Sequence, residues 1–357
     1  MKNRRDLIRG IIATCAMFAI ILDTRTAITS ATEGVALCIR TIIPSLFPFF
    51  VLAGVINSCL CGQRIRILQP VCRLCRIPKG TESLLLLGFL AGYPVGAQLI
   101  TQAYHNKRIS KSAAHRMLGF CNNPGPAFLF GILTPLFTSA KAVWILWGIL
   151  IVSALITGYI LPSEETTSVE IETHSGTSFS ESLQKSIKVT ADICGWIILF
   201  RILIGFCNRW FLWLFPQAVQ ILFSGLLELS NGSVLLQSIS NEGTRFLLSG
   251  FILTFGGLCV AMQTISVTEG LGTGWYFPGK AFQAVLSVFL CYWLQPILFD
   301  ITDIHVLPFS VVIGLAVCTL LLGFVLCRKK LWLFQGDCSI IQVIKVERSK
   351  LCCSVKK

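Results

Sequence analysis

Charge is what this sequence has least of. Only 13% of its 357 residues are Asp, Glu, Lys or Arg, against 54% hydrophobic, where a soluble domain carries about 25% charged residues. Histidine is scarcer still: the four are His105, His115, His174 and His305, far apart and in no H-E-x-x-H pattern. No G-x-S-x-G occurs, so hydrolytic chemistry has no constellation to stand on, and no cofactor is expected. Carboxylates number 17 against 30 basic residues, a net charge of +13. With a mean hydropathy of +0.75, this balance excludes an ordinary soluble domain. It points to a multispanning membrane protein whose basic residues sort to one side of the bilayer, and not to a nucleic-acid binder.

The basic residues fall in four groups: Lys2, Arg4, Arg5 and Arg9; Arg64, Arg66, Arg73, Arg76 and Lys79; Lys107, Arg108, Lys111 and Arg116; and a tail from Arg328 to Lys357. The positive-inside rule places all four, and both termini, in the cytoplasm of a multi-pass cell-membrane protein. The run Ile11 to Leu22 behind a basic start admits a cleaved signal peptide or an uncleaved first helix. The uncleaved helix keeps the later basic groups on one side. The 16 cysteines mostly stand singly in apolar segments, as small buried hydrophobes do, unlike a secreted disulfide scaffold. Cys59, Cys61, Cys72 and Cys75 supply enough ligands for zinc, yet arginines surround them and no acidic or histidine ligand lies near. Reduced, unconnected thiols are the expectation, and no metal site is assigned.

Apolar runs predict crossings at about 7–22, 41–60, 114–137, 142–161, 187–207, 244–265, 281–299 and 307–327. Two further stretches, 83–104 and 222–240, are cut by Gly92-Tyr93-Pro94 and Ser230-Asn231-Gly232, which a continuous helix avoids. Both read as re-entrant hairpins, since basic groups flank the first on both sides. Residues 162–186, acidic and rich in Ser and Thr, read as a linker. Around it, 41–161 and 187–299 repeat one order of parts: a leading span, a hairpin, a broken span, an unbroken span. Their leading spans run in opposite directions, an inverted-topology repeat of the kind that holds solute near the bilayer midplane. Residues 1–40 form a first helix and an amphipathic segment, 300–327 a last helix, and 328–357 a basic cytoplasmic tail.

The breaks carry the chemistry. Hydrocarbon tolerates broken backbone only where protein or a polar cavity shelters it. At Gly92, Tyr93, Pro94, Val95 and Gly96, proline removes a donor and glycine frees the dihedrals, leaving backbone groups available to a ligand. The four-residue spacing of Gly88, Gly92 and Gly96 also fits helix packing. Asn122 and Asn123, with Pro124 and Gly125, put two amides inside a crossing, either to cap half-helices or to bind a polar solute as well. Glu228, ahead of Ser230, Asn231 and Gly232, is a carboxylate in an apolar segment and a candidate for coupling to a proton or cation; a hairpin-tip carboxylate at the interface is the alternative. Gly256 and Gly257 break the second half's crossing, and Gln263 and Arg201 are weaker candidates. Gly274 to Lys280 has the G-x-x-x-x-G-K spacing of a phosphate loop, but Ala281 replaces the metal-binding hydroxyl, three aromatics fill the loop and no strand precedes it. Trp275 and Tyr276 are expected to be interfacial anchors.

Pro44-Ser45-Leu46-Phe47-Pro48-Phe49, Gly92-Tyr93-Pro94-Val95-Gly96-Ala97 and Asn122-Asn123-Pro124-Gly125-Pro126-Ala127-Phe128, in that order, resemble the sporulation integral membrane protein YlbJ family, with its "Gate" or nucleoside-recognition domain. The resemblance spans roughly residues 30–330 and is diffuse in the second half, where Glu228 to Gly232 matches the corresponding repeat. It implies an all-α polytopic fold, about eight transmembrane helices plus two re-entrant hairpins in two inverted Gate-type repeats, and a link to the spore envelope and cortex. It implies no particular solute. The leading expectation is a transporter-like protein that moves a small polar solute, with a coupling ion and self-association as further expectations. A non-transporting scaffold that recruits envelope-building partners through basic surfaces is the competing class.

Overall fold

The structure is a computed structural model and describes residues 2–60, 62–162 and 178–299. The expected last crossing at 307–327, the tail, Cys61 and most of the acidic linker lie outside the described residues. Among the described residues the chain is helical, with no strand.

Helix α1 (Lys2–Leu22) is followed by α2 (Thr24–Leu37) and α3 (Ile43–Leu60), which a π-helical turn at Cys38–Ile42 joins without interruption. Next come α4 (Gln69–Leu74), α5 (Glu82–Leu90), α6 (Val95–His105), α7 (Lys111–Leu118), α8 (Pro126–Leu133) and α9 (Ala140–Ile160). Beyond the linker stand α10 (Phe179–Trp210), α11 (Gln217–Leu227), α12 (Leu229–Leu235), α13 (Glu242–Phe255), α14 (Gly257–Val267) and α15 (Tyr276–Leu298). Among the described residues, five stretches are long and apolar enough to cross a membrane: Thr24–Leu60, Ala140–Ile160, Phe179–Trp210, Glu242–Val267 and Tyr276–Leu298. The chain is therefore an integral membrane protein. Glu242–Val267 is 94% buried and forms the centre, whereas the other four are less than half buried. Leu199, Phe289, Trp293 and Ile297 are among the large apolar side chains they turn outward, as lipid contact requires.

The span expected at 41–60 begins earlier, at Thr24. Thr26, Ser30 and Gly34 make that first stretch look interfacial in sequence, but they are small residues that let α2 lie against α10. A Cβ at Gly34 would come 3.1 Å from the Ile198 Cα, and one at Gly205 would come 2.0 Å from the Ser30 hydroxyl. Arg201 is held there by Glu33 at 2.5 Å. The break expected within 114–137 is present as a non-helical segment between α7 and α8.

Loop contacts define two ends. At one, His115 Nε2 donates to the Leu271 carbonyl at 2.8 Å and His105 Nε2 to that of Glu269 at 3.1 Å. There too the buried Arg116 guanidinium donates to the carbonyls of Leu161 (3.2 Å), Arg76 (3.2 Å) and Gly158 (2.5 Å). It closes the C-terminal end of α9, where orphan carbonyls need donors, so Arg116 belongs to the packing and not to an exposed basic loop. At the other end, the Thr138 amide and hydroxyl donate to the Glu242 carboxylate at 2.9 and 3.1 Å, and the Arg245 guanidinium donates to the carbonyls of Leu136 and Ile239. Helix α9 starts at this second end and finishes at the first, 21 residues later.

Candidate functional site

Proline and glycine stop helices where hydrogen bonds run out, and four such stops meet inside this protein. Between α5 and α6 the chain turns at Gly92, whose φ of +84° suits glycine; the Tyr93–Pro94 peptide is cis. The turn lies directly on the α7–α8 break. A Cβ at Gly88 would sit 2.1 Å from the Cys121 carbonyl oxygen, one at Gly96 2.5 Å from the same atom, and one at Gly92 2.6 Å from the Gly125 nitrogen. The glycine spacing is therefore a packing seam, and the proline beside it ends the seam. In the second half α12 folds back on α11, and a Cβ at Gly232 would meet Gly225 at 2.2 Å. Gly256, at φ +80°, and Gly257 stop α13 beside them. A Cβ at Gly257 would come 2.9 Å from the Gly225 carbonyl.

Tyr93 joins the two pairs. Its hydroxyl donates to the Leu253 carbonyl at 2.6 Å, one of the carbonyls freed at the α13 break. A cavity of about 30 Å³, room for one or two waters, opens where the breaks converge. Gly92, Tyr93, Pro124, Gly125, Ser230 and Gln263 of the expected residues line it. Apolar walls come from α2–α3 at Ile42 and Leu46, from α8 at Phe128 and from α10 at Ile193 and Ile197. Gln263 is 5% exposed, and among the described residues its amide nitrogen reaches only the Cys259 sulfur, at 3.3 Å.

The remaining expected residues stand behind this cavity. Asn122 accepts from the Ala97 amide at 3.3 Å, supplying the start of α6 with an acceptor, and donates to the Thr264 hydroxyl at 3.0 Å. Asn123 donates to the Phe120 carbonyl at 2.6 Å. Glu228 is buried and caps α12: one oxygen accepts from the Ser230 amide at 2.9 Å, the other from the Asn231 amide and side chain at 2.7 and 2.8 Å. No lysine or arginine among the described residues forms an ion pair with it. Gly96, Gly232, Gly256 and Gly257 serve the crossings themselves, and Pro94 begins α6.

Sequence reasoning missed Lys280. It is 1% exposed, and its ammonium donates to Asn123 Oδ1 at 2.8 Å and Gln283 Oε1 at 3.1 Å, 5.4 Å from the centre of the Tyr93 ring. Gln283 donates to the same Asn123 oxygen at 2.8 Å. A buried ammonium held by neutral amides and an aromatic face thus backs the Asn123 break. The available signal was a lysine one residue ahead of an apolar run. The phosphate-loop spacing around it drew attention to the wrong chemistry. Tyr276, expected at the interface, is fully buried, whereas Trp275 is exposed, as an anchor would be.

Cys72 and Cys75 are buried and Cys59 is exposed. Among the described residues no group of three or more potential ligands could hold a metal ion.

No family model matches the chain, and no solved structure matches it. Among curated proteins it is similar to the sporulation integral membrane protein YlbJ of Bacillus subtilis (strain 168), 23% identical over 293 residues that cover 70% of this chain and 72% of that protein. The likeness runs through most of both chains, as the motif resemblance does.

Proposed function

We propose that the chain is a transporter-like membrane protein with its solute site at the cavity between Gly92-Tyr93, Pro124-Gly125, Ser230 and Gln263. One observation carries the reading: three helix interruptions, at Gly92-Tyr93, Pro124-Gly125 and Leu229-Ser230, line that cavity, and the fourth, at Gly256, lies against the Tyr93 hydroxyl. Interrupted helices at membrane depth are stable only against protein or a polar cavity, and solute carriers use such interruptions to present backbone groups to a ligand. The order of parts on the two sides supports two inverted repeats, with α5–α6 entering from the end that holds His105 and α11–α12 from the end that holds Ile239. The end with the basic loops is the cytoplasmic one in this reading. Similarity to a sporulation protein supports a role in endospore formation. At about 30 Å³ the cavity has room for a water or two, so a solute enters when the hairpins part.

The test is counterflow of a pooled set of small polar metabolites into proteoliposomes, read by mass spectrometry. At least one compound accumulates with the natural protein and falls at least tenfold with Gln263→Leu or with Ser230→Ala. If no compound moves, or if both variants carry it unchanged, the proposed site is wrong.

A further inference from the structure

A second cavity, of about 60 Å³, stands on the same three walls as the first. Along α3 the first cavity uses Leu46 and the second Phe50, Gly54 and Asn57. After Gly92 and Tyr93 the second uses Val95, Gln98 and Gln102 of α6. Along α10 the first uses Ile193 and Ile197, the second Val189, Ser186 and Ser182. These steps are three or four residues apart, one helical turn each. From Ile193 to Ser186 is about 10 Å at 1.5 Å per residue. The second cavity therefore continues the first toward the end of α6 that carries His105, with Phe50, Val95 and Val189 as the apolar collar between them.

Its lining differs in kind from the apolar faces around it. Ser182 is 3% exposed, and its hydroxyl has no hydrogen-bond partner among the described residues; the Asn57 side-chain oxygen is buried and likewise unpartnered. Buried polar atoms left this way cost about 1–3 kcal/mol each unless water or a solute satisfies them. The charged group on the wall, Lys185, lies at the rim, about half exposed and 2.7 Å from Glu181. Amides and hydroxyls make up the rest of the polar surface, both here and at Ser230 and Gln263 below.

We propose that the cleft between α3, α6 and α10 is a hydrated entrance to the central cavity, and that it admits an uncharged, hydrogen-bonding solute. The inference rests on the transport reading and adds both the route and the charge class. Lys185 stays outside the collar, and beyond it a formal charge would find, on the central cavity's described lining, neutral amides, a hydroxyl and apolar side chains but no counter-ion, which low dielectric makes costly.

Reagent access tests it independently of transport. Gln98→Cys, Ser182→Cys and Gln263→Cys are treated in vesicles with neutral hydroxyethyl, anionic sulfonatoethyl and cationic trimethylammonioethyl methanethiosulfonates, and labelling is read peptide by peptide so that native cysteines do not interfere. Leu199→Cys, on the outward face of α10, is the control. Gln98→Cys and Ser182→Cys label at least tenfold faster than the control. At Gln263→Cys the neutral reagent outpaces both charged ones at least tenfold, and adding Gln102→Trp at the mouth suppresses it. Labelling of Gln98→Cys and Ser182→Cys no faster than the control overturns the entrance, as does undiminished labelling of Gln263→Cys behind Gln102→Trp. Equal rates for the three reagents at Gln263→Cys overturn the charge class. A protein that labels as expected yet carries nothing in counterflow loses the transport reading and keeps the hydrated cleft.

Discussion

Lys280 and Asn123 divide one interaction unequally. Asn123→Leu leaves the buried ammonium with a single side-chain oxygen and strips the Phe120 carbonyl of its donor, a loss of about 3 kcal/mol. Lys280→Met removes the charge and leaves Gln283 still bonded to Asn123, so it costs less than about 1.5 kcal/mol. Unfolding in detergent should therefore rank Asn123→Leu well below Lys280→Met, and the reverse order would mean that the ammonium stabilises the fold on its own. Outside the membrane-spanning segments, burial, helped by the nearby Glu82, pushes the Cys72 thiol up to about 12. The reactive thiolate is then negligible at pH 8 and appears only as pH approaches that value. Iodoacetamide at pH 8 should modify Cys59 within the time that leaves Cys72 intact. Lys280 escaped a reading of the sequence because its neighbours are aromatic and, Gln283 apart, the groups that hold it, Asn123 and the Tyr93 ring, lie more than 150 positions away. Glu228 was conspicuous, being a carboxylate in an apolar run, but whether it faced solvent or capped a helix depended on how α12 turns.

The interrupted helices were the most legible elements. Proline, asparagine and paired glycines interrupt hydrogen bonding whatever surrounds them, so Gly92, Asn122 and Gly256 mark breaks from sequence alone. Which break touches which was not legible, because each contact depends on a missing side chain and not on a distinctive one. The extent of α2 was misjudged for a related reason: Thr26, Ser30 and Gly34 serve close packing on α10 and read as polarity. Gln98, Gln102 and Ser182 went unnoticed because single amides and hydroxyls are common on helices. The seam makes a direct prediction. Gly88→Ala and Gly96→Ala force a methyl against the Cys121 carbonyl, which is backbone and cannot rotate away, and each should cost about 1–3 kcal/mol. Gly148→Ala meets nothing within 4 Å and should gain up to about 1 kcal/mol from helix propensity. Equal melting temperatures for all three would mean that the seam is looser than its distances.

For the whole molecule, the proposed inverted arrangement puts opposite ends of α9 on opposite sides of the membrane. Lys107→Cys and Ser139→Cys should label with an impermeant maleimide from opposite sides, Lys107→Cys from the cytoplasm. Labelling of both from one side would remove the inverted arrangement. The same arrangement bears on how the chain is made. Helix α11 has 11 residues and α12 seven, too few to cross hydrocarbon, and Glu228 between them would enter lipid as a charge. Their cover, Ile252 and Gly257, belongs to α13 and α14, which leave the ribosome later. Residues 217–240 must therefore wait at the bilayer surface, or in the insertion machinery, until α13 has been threaded. A chain stopped at residue 241 should be cleared by quality-control proteolysis, and one stopped at residue 299 should persist.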